Sequence, residues 1–291
     1  MWKRTYQGRE LHFYLAGINN QNFLMRDKET GTWWQQITGL AVDGPMKGAA
    51  LDLVPSDELT FGEWRSEVAG GKVFAPVEKY KKEYDSNWEP EVAKLPVVIS
   101  FPGTELKSRD VVVGLEMEGA SRAYPWDTLV KQSPVMDRVH GKPLLVAVGP
   151  DGKSFRVFVS RIDGKDTEFF LKSELASDGA SEAAAEKKSD AADNPAVSTD
   201  AKVASSTAPA SNPPAISSSP AASASSPNQA AAPSAPKAWV LLDSETGSEW
   251  NFQGCAISGS SQGKCLERVY ALKDYWFDWR NYHADTTIYK R

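Results

Sequence analysis

The sequence predicts a mainly β protein, a β-rich α+β fold, made of two diverged copies of a strand-hairpin-helix unit. Three observations point there. Glycines and tryptophans recur in the same order, Gly-containing dipeptides separate short apolar or alternating runs, and a helical stripe closes each copy. Asp27, Glu29, Thr30, Gly31 and Trp34 match Asp243, Glu245, Thr246, Gly247 and Trp250 without a gap. After deletion of one residue, Gly39, Ala41, Gly44, Gly48, Leu51 and Val54 match Gly254, Ala256, Gly259, Gly263, Leu266 and Val269, and Trp64-Arg65 matches Trp279-Arg280. Upstream, Arg4, Gly8, Phe13 and Leu15 fall on Arg161, Gly164, Phe169 and Leu171. Turns require glycine at positive φ, and each copy requires the same large core filler, so both residue types persist.

Taken in chain order, residues 1–77 form the first copy, 78–110 an extended connector, and 111–176 with 239–291 the second copy, interrupted by an insert at 177–238. Gln7-Gly8, Glu118-Gly119, Asp151-Gly152 and Asp163-Gly164 each mark a hairpin turn. The first copy closes with a helix capped by Ser56 or Asp57, its stripe running through Leu59 or Phe61, Trp64 and Val68 and ending at Gly70-Gly71. In the second copy, Leu272, Trp276, Trp279 and Tyr282 or His283 repeat that stripe. A further short helix starts at Pro125-Trp126 and runs to about Gln132. Residues 78–110 mix charges and prolines without periodicity. The segment Val111 to Ser160 has no counterpart before Met1, so the first copy is expected to be N-terminally truncated, by a mis-set start or by genuine loss.

Residues 177–238 are almost wholly Ala, Ser, Pro, Asp, Lys and Asn, with no aromatic. Ordering each would cost ~1–2 kcal/mol of backbone entropy with no apolar burial to offset it, which predicts a disordered tether. A glycosylated stalk or a partner-docking tail is the alternative to a bare spacer.

Composition narrows the class. Hydrophobic residues at 41% and charged residues at 24% fit a globular chain rather than a wholly disordered one. With a net charge of -5 and no basic patch interleaved with aromatics, nucleic acid is not an expected partner. No stretch supplies the roughly 20 apolar residues of a membrane-spanning helix. Met1-Trp2-Lys3-Arg4 leads into no signal-peptide run, so the chain carries no address or its address lies upstream.

Several stretches resemble the uncharacterised bacterial and archaeal domain-of-unknown-function 3179 family. They are Asn19-Asn20-Gln21-Asn22 before Phe23-Leu24-Met25-Arg26-Asp27, the run from Glu29 to Gly39 through Trp33-Trp34-Gln35-Gln36, Val113-Gly114-Leu115-Glu116 leading to Arg122-Ala123-Tyr124-Pro125, and Trp279 to Thr286. Ala284 stands where the family usually has proline. The resemblance implies no particular reaction or cofactor. The family often carries a Cys-Pro-x-Cys-Gly turn, and here that place reads Gly149-Pro150-Asp151-Gly152, so thiol or metal chemistry at that turn is not expected.

His12, His140 and His283 lie in three separate contexts, with no pair at metal-ligand spacing. His12 alternates within a strand pattern, and His283 ends a helix, where capping by an imidazolium competes with a catalytic role. Neither a Gly-x-Ser-x-Gly elbow nor a phosphate-binding glycine loop is present. One polar cluster stands out: Asn19, Asn20, Asn22, Arg26, Asp27 and Gln36, beside Trp33 and Trp34. Amides, a guanidinium and indoles can hold a small neutral polar or anionic ligand, although Asn also satisfies turns and Arg26-Asp27 can pair locally. The expectation is a ligand-binding or interaction module, with an enzyme of unknown reaction, using a pocket near Asn19–Asp27 and Gln36, as the alternative. An enzyme would bury a strongly perturbed titratable group in that pocket. Finally, Cys255 and Cys265 flank a hairpin whose counterpart has neither cysteine. A disulfide or two separate buried thiols both fit, and a disulfide favours a periplasmic or secreted location.

Overall fold

A computed structural model describes residues 1–19, 22–173 and 239–290. The insert expected at 177–238 and the candidate Asn20 lie outside the described residues. The chain is mainly β, as its turns and alternation indicate.

The first strands, β1 (Thr5–Tyr6) and β2 (Arg9–Glu10), form a hairpin. Strands β3 (Phe13–Asn19), β4 (Asn22–Asp27), β5 (Trp33–Gln35) and β6 (Ala41–Asp43) follow as an antiparallel meander. Helix α1 (Phe61–Glu67) comes next. A 3-10 turn (Glu78–Glu83) and helix α2 (Trp88–Val92) interrupt the connector, which is thus not extended throughout. Then come β7 (Val111–Met117), β8 (Ala120–Pro125), α3 (Trp126–Gln132), β9 (Val135–Val139), β10 (Lys142–Val148) and β11 (Phe155–Val159). A small hairpin, β12 (Arg161–Ile162) and β13 (Lys165–Asp166), leads to β14 (Phe169–Leu171). Beyond the insert lie β15 (Leu241–Asp243), β16 (Glu249–Trp250), β17 (Arg268–Val269), β18 (Leu272–Tyr275), α4 (Trp276–Tyr282) and β19 (Thr287–Ile288).

Three further sheets result, ordered β17-β11-β10-β9, β14-β15-β16 and β18-β7-β8-β19. The main core lies where β7 and β8 face β9, β10 and β11, filled by Val113, Leu115, Tyr124, Leu144, Val146 and Val157 and closed by Leu129 of α3. Strand β10 is buried along nearly its whole length, which explains its unbroken apolar run Leu144 to Val148. Smaller cores form around Trp250, Phe158 and Phe169, around Trp34 and Leu11, and around Trp276 and Trp279.

Both central residues of Gln7-Gly8, Glu118-Gly119 and Asp163-Gly164 have positive φ, the tight-turn geometry whose twist matches paired strands. The Asp151-Gly152 turn is wider. There Gly149 N donates to Ser154 O, and Asp151 Oδ1 accepts from the Lys153 and Ser154 amides.

The same contacts recur in both halves. Asp27 accepts from Thr30 N at 2.6 Å and Trp34 Nε1 at 2.8 Å, while Asp243 accepts from Thr246 N at 2.5 Å and Trp250 Nε1 at 2.9 Å. A Cβ on Gly39 would lie 2.7 Å from the Trp2 ring, and one on Gly254 would lie 2.3 Å from the Phe158 ring. Leu11 N bonds Arg4 O as Thr167 N bonds Ser160 O, so the hydrogen bonds pair Arg4 with Ser160, one residue before Arg161.

Two helix boundaries differ from the sequence expectation. Thr60, not Ser56 or Asp57, caps α1, its Oγ1 accepting from Glu63 N, because Asp57 is engaged by Arg156 and Arg268. In the second half, Leu272 is not helical: residues 272–275 pair with Val111–Gly114 as β18, and the helix begins at Trp276. Backbone pairing to a buried strand outweighs helical spacing there.

Cys255 and Cys265 form a disulfide across an antiparallel bridge, with Cα atoms 4.0 Å apart. With a sequence separation of 10, loop-closure entropy predicts that the Cys255→Ala/Cys265→Ala variant loses about 2.5–3 kcal/mol of unfolding free energy in urea titrations. An unchanged midpoint would contradict this.

Candidate functional site

The first meander meets α4 through polar side chains. Asn22, at the start of β4, donates through Nδ2 to Asp278 Oδ2 at 3.0 Å. Gln35, at the end of β5, donates through Nε2 to Asn22 Oδ1 and to the Tyr282 hydroxyl, each at 3.0 Å. The Tyr282 hydroxyl donates onward to the Asn19 carbonyl at 3.4 Å. Burial and the nearby charge of Asp278 push the Tyr282 phenol up, which keeps it a donor.

Beside this network lies a cavity of about 370 Å³, walled by Trp2, Asn22, Gln36, Tyr270, Asp274 and Asp278. Trp2 is fixed there by its indole N–H, which donates to Gln36 O at 2.6 Å. Asp274 is the next-to-last residue of β18 and Asp278 lies in the first turn of α4, so the strand-to-helix junction sets two carboxyls side by side. Asp278 is 8% exposed. Asp274 Oδ2 and Asp278 Oδ1 are both buried, and among the described residues no other side chain or backbone N–H donates to them.

Burial first, and then the charge of Asp278, pushes the Asp274 carboxyl up to about 8. Burial also raises Asp278, opposed by its hydrogen bonds from Asn22 and Asp274. At neutral pH the two carboxyls therefore hold one proton between them, because like charges this close cannot both ionise cheaply. That proton lets the pair both donate and accept, the property a general acid-base group needs.

Asp274 also borders a second cavity, of about 310 Å³, with Glu58, Trp88 and Lys273. Burial raises the Glu58 carboxyl and lowers the Lys273 ammonium. Lys273 Nζ donates to Lys153 O and lies 3.5 Å from the Trp126 ring centroid. A larger hollow of about 660 Å³ lies between Glu105, Asp127 and Lys290, and Glu105 pairs with Lys290 at its exposed rim.

Of the residues singled out from the sequence, Asn22 and Gln36 line the cavity and Asn19 joins its network through a carbonyl. Arg26 and Asp27 sit elsewhere. Arg26 donates from Nε to Gly31 O and stacks 5.5 Å from the Trp33 ring centroid. Burial would raise Asp27, but its bonds from Trp34 and Thr30 hold it below the usual carboxylate range. His12 pairs with Glu29 at 2.7 Å, and His283 stacks on Trp279 at the end of α4.

Asp274 and Asp278 escaped sequence reading. Their four-residue spacing was visible, but at the aligned positions the first half has Leu59 and Glu63, so the repeat drew no attention to a pair.

The model for the family described as "Protein of unknown function (DUF3179)" matches residues 1–286, and the chain belongs to that family. Neither the curated proteins nor the solved structures contain a match to this chain.

Proposed function

We propose that the chain is a ligand-binding module that holds a small polar ligand in the cavity walled by Asn22, Gln36, Asp274 and Asp278. One observation supports this above the others. The cavity gathers the amide of Asn22 and the carboxyls of Asp274 and Asp278 on one wall, side chains brought together from β4, β18 and α4. A few convergent polar groups on a concave wall are what fixes a small polar ligand in one orientation. A thermal-shift survey of small polyols, amides, amines and carboxylates tests it. A ligand at a hundred times its Kd stabilises the folded state by about 2.7 kcal/mol, a readable rise in Tm. The Asp278→Asn variant is expected to lose that rise. The same rise in both proteins, or none in either, sinks the reading.

An enzymatic role is favoured by one feature, the proton shared by Asp274 and Asp278. Their mutual hydrogen bond sets them closer than the ~5 Å or more that separates glycosidase carboxyl pairs, so proton transfer by a dyad is the chemistry such an enzyme would use.

The Cys255–Cys265 disulfide supports an extracytoplasmic location. No described helix is long and apolar enough to cross a membrane. Free thiols, trapped by alkylation in protein taken from its native compartment, would contradict that placement.

A further inference from the structure

The two halves differ in what covers one sheet face. Trp2 stands where Phe158 does: Trp2 bridges Leu53 as Phe158 pairs with Arg268, and Lys3 N donates to Asp52 O as Val159 N donates to Glu267 O, each at 2.9 Å. In the second half, β10 lies along the other edge of that strand, with Leu145 opposite Phe158. The hairpin of β9 and β10 adds Met136 and Leu145 to the cluster around Trp250 and Phe169. Leu171 and Trp239 pack against the same cluster, and the Trp239 indole N–H donates to Val148 O at 3.0 Å.

The first half is bare at the same place. Its cluster around Trp34 draws only on residues 2–51. Met1 O and Lys3 N bond the strand that holds Leu53, so the Trp2 amide and carbonyl point the other way, and no backbone group among the described residues meets them. Leu15 and Phe23, at the positions of Leu171 and Trp239, are 62% and 45% exposed, and Ile18, opposite Phe23, is 67% exposed. All three lie on the face of buried Trp34, because Leu15 pairs with Met25 and Met25 with Trp34.

We propose that this face is a docking surface for a protein partner that supplies an apolar β-hairpin, one strand adding to the Trp2 edge while its alternate side chains cover Leu15, Ile18 and Phe23. The second half shows the chemistry of the occupant, since β10 sets an aliphatic side chain opposite Phe158 and brings its end to Trp239. Main-chain hydrogen bonds give strand addition its affinity, and pockets for alternate side chains give it selectivity. An open edge beside exposed apolar side chains is what natural sheets otherwise keep covered. A second copy of this chain does not fit as the occupant: a stable dimer buries roughly 800 Å² on each partner, more than these three side chains expose.

Fluorescence anisotropy of a labelled synthetic hairpin copying residues 134–149, which carries its own His140-Gly141 turn, tests the proposal against the full chain. The hairpin is expected to bind, and the same peptide with Leu145→Asp should bind at least about tenfold more weakly, because a charge replaces a buried aliphatic side chain. In the chain, Leu15→Asp and Ile18→Asp should each weaken binding to the same degree and leave the urea midpoint unchanged, since both side chains stand mostly in solvent. Undiminished binding by both variants would place the peptide elsewhere, in exchange with the chain's own β9 and β10, and overturns the docking surface. No binding by the parent chain overturns it too. Sedimentation of the chain as a dimer that either variant dissociates gives the face to a second copy and overturns the hairpin partner.

Discussion

Replacing Arg156 by alanine is expected to lower the unfolding free energy by about 3–5 kcal/mol, the usual penalty for removing one partner of a buried ion pair. Arg156 extends from β11, and its side chain is only 3% exposed. Its guanidinium reaches Glu67 at 2.5 and 2.7 Å and Asp57 at 2.8 and 3.2 Å, with its flat face 4.6 Å from the Phe252 ring centroid. Asp57 precedes α1 and Glu67 ends it, so one side chain clamps both flanks of the helix to the β17-β11-β10-β9 sheet. The clamp matters because α1 buries no residue of its own. Its other anchor is Thr60, whose amide donates to Ser154 Oγ and whose hydroxyl donates to Asp151.

Alanine at position 156 would leave Glu67 without its guanidinium and Asp57 with Arg268 alone. Arg156→Lys keeps the charge but not the fork, and an intermediate loss is expected. Urea denaturation measures both, and a loss below about 1 kcal/mol for alanine would contradict the clamp. Burial would raise Asp57, but hydrogen bonds from Arg156 and then Arg268 hold it below its ordinary value. Its contribution is therefore present above the unfolded carboxylate pKa and is lost as pH falls through the lower folded value.

Local chemistry was readable from the sequence wherever neighbours in the chain decide the structure. Gln7-Gly8, Glu118-Gly119 and Asp163-Gly164 turn as their dipeptides indicate, because the glycine of each takes positive φ without steric cost. Trp126 opens α3 directly after Pro125, as a residue preset to φ near -65° favours. The Asp-x-Glu-Thr-Gly motif followed by tryptophan was visible twice, and each aspartate does bond its own Thr and Trp three and seven residues on.

What failed to show is long in range. Asn22 meets Asp278 across 256 positions and Arg156 meets Asp57 across 99, distances over which periodicity carries no signal. Misplacement of the α1 cap has the same origin, since Asp57 looks like a cap until Arg156 is brought to it from another sheet. Leu272 likewise fits a helical stripe until β7 offers it a strand partner. The candidate cluster combined residues of both kinds. Asn22 was singled out as a loop amide and gains its chemistry from a helix more than two hundred residues later.

The Asp274→Asn variant is expected to be more stable than the parent at neutral and mildly alkaline pH. Burial and the charge of Asp278 raise the Asp274 carboxyl to about 8 from an ordinary value of 3.8. A folded-state pKa above the unfolded one means that the folded protein binds more protons, so stability is greatest below the unfolded value and declines as pH rises towards the folded one. The decline therefore spans about pH 4 to 8. A rise of about four units corresponds to a ceiling of about 5–6 kcal/mol. Asparagine removes the titration while its amide N–H can replace the shared proton, but Asp278 then carries the charge of the site by itself. A gain of about 3 kcal/mol at pH 8, shrinking towards zero near pH 4, is the expected result. Urea titrations of both proteins at pH 4, 6 and 8 measure it. A variant less stable than the parent at pH 8, or a difference that does not grow with pH, would show that the two carboxyls are not strained. Such a gain would also mean that the parent chain keeps a costly buried carboxyl where an amide fits better, the trade expected when a site is shaped for its ligand rather than for stability.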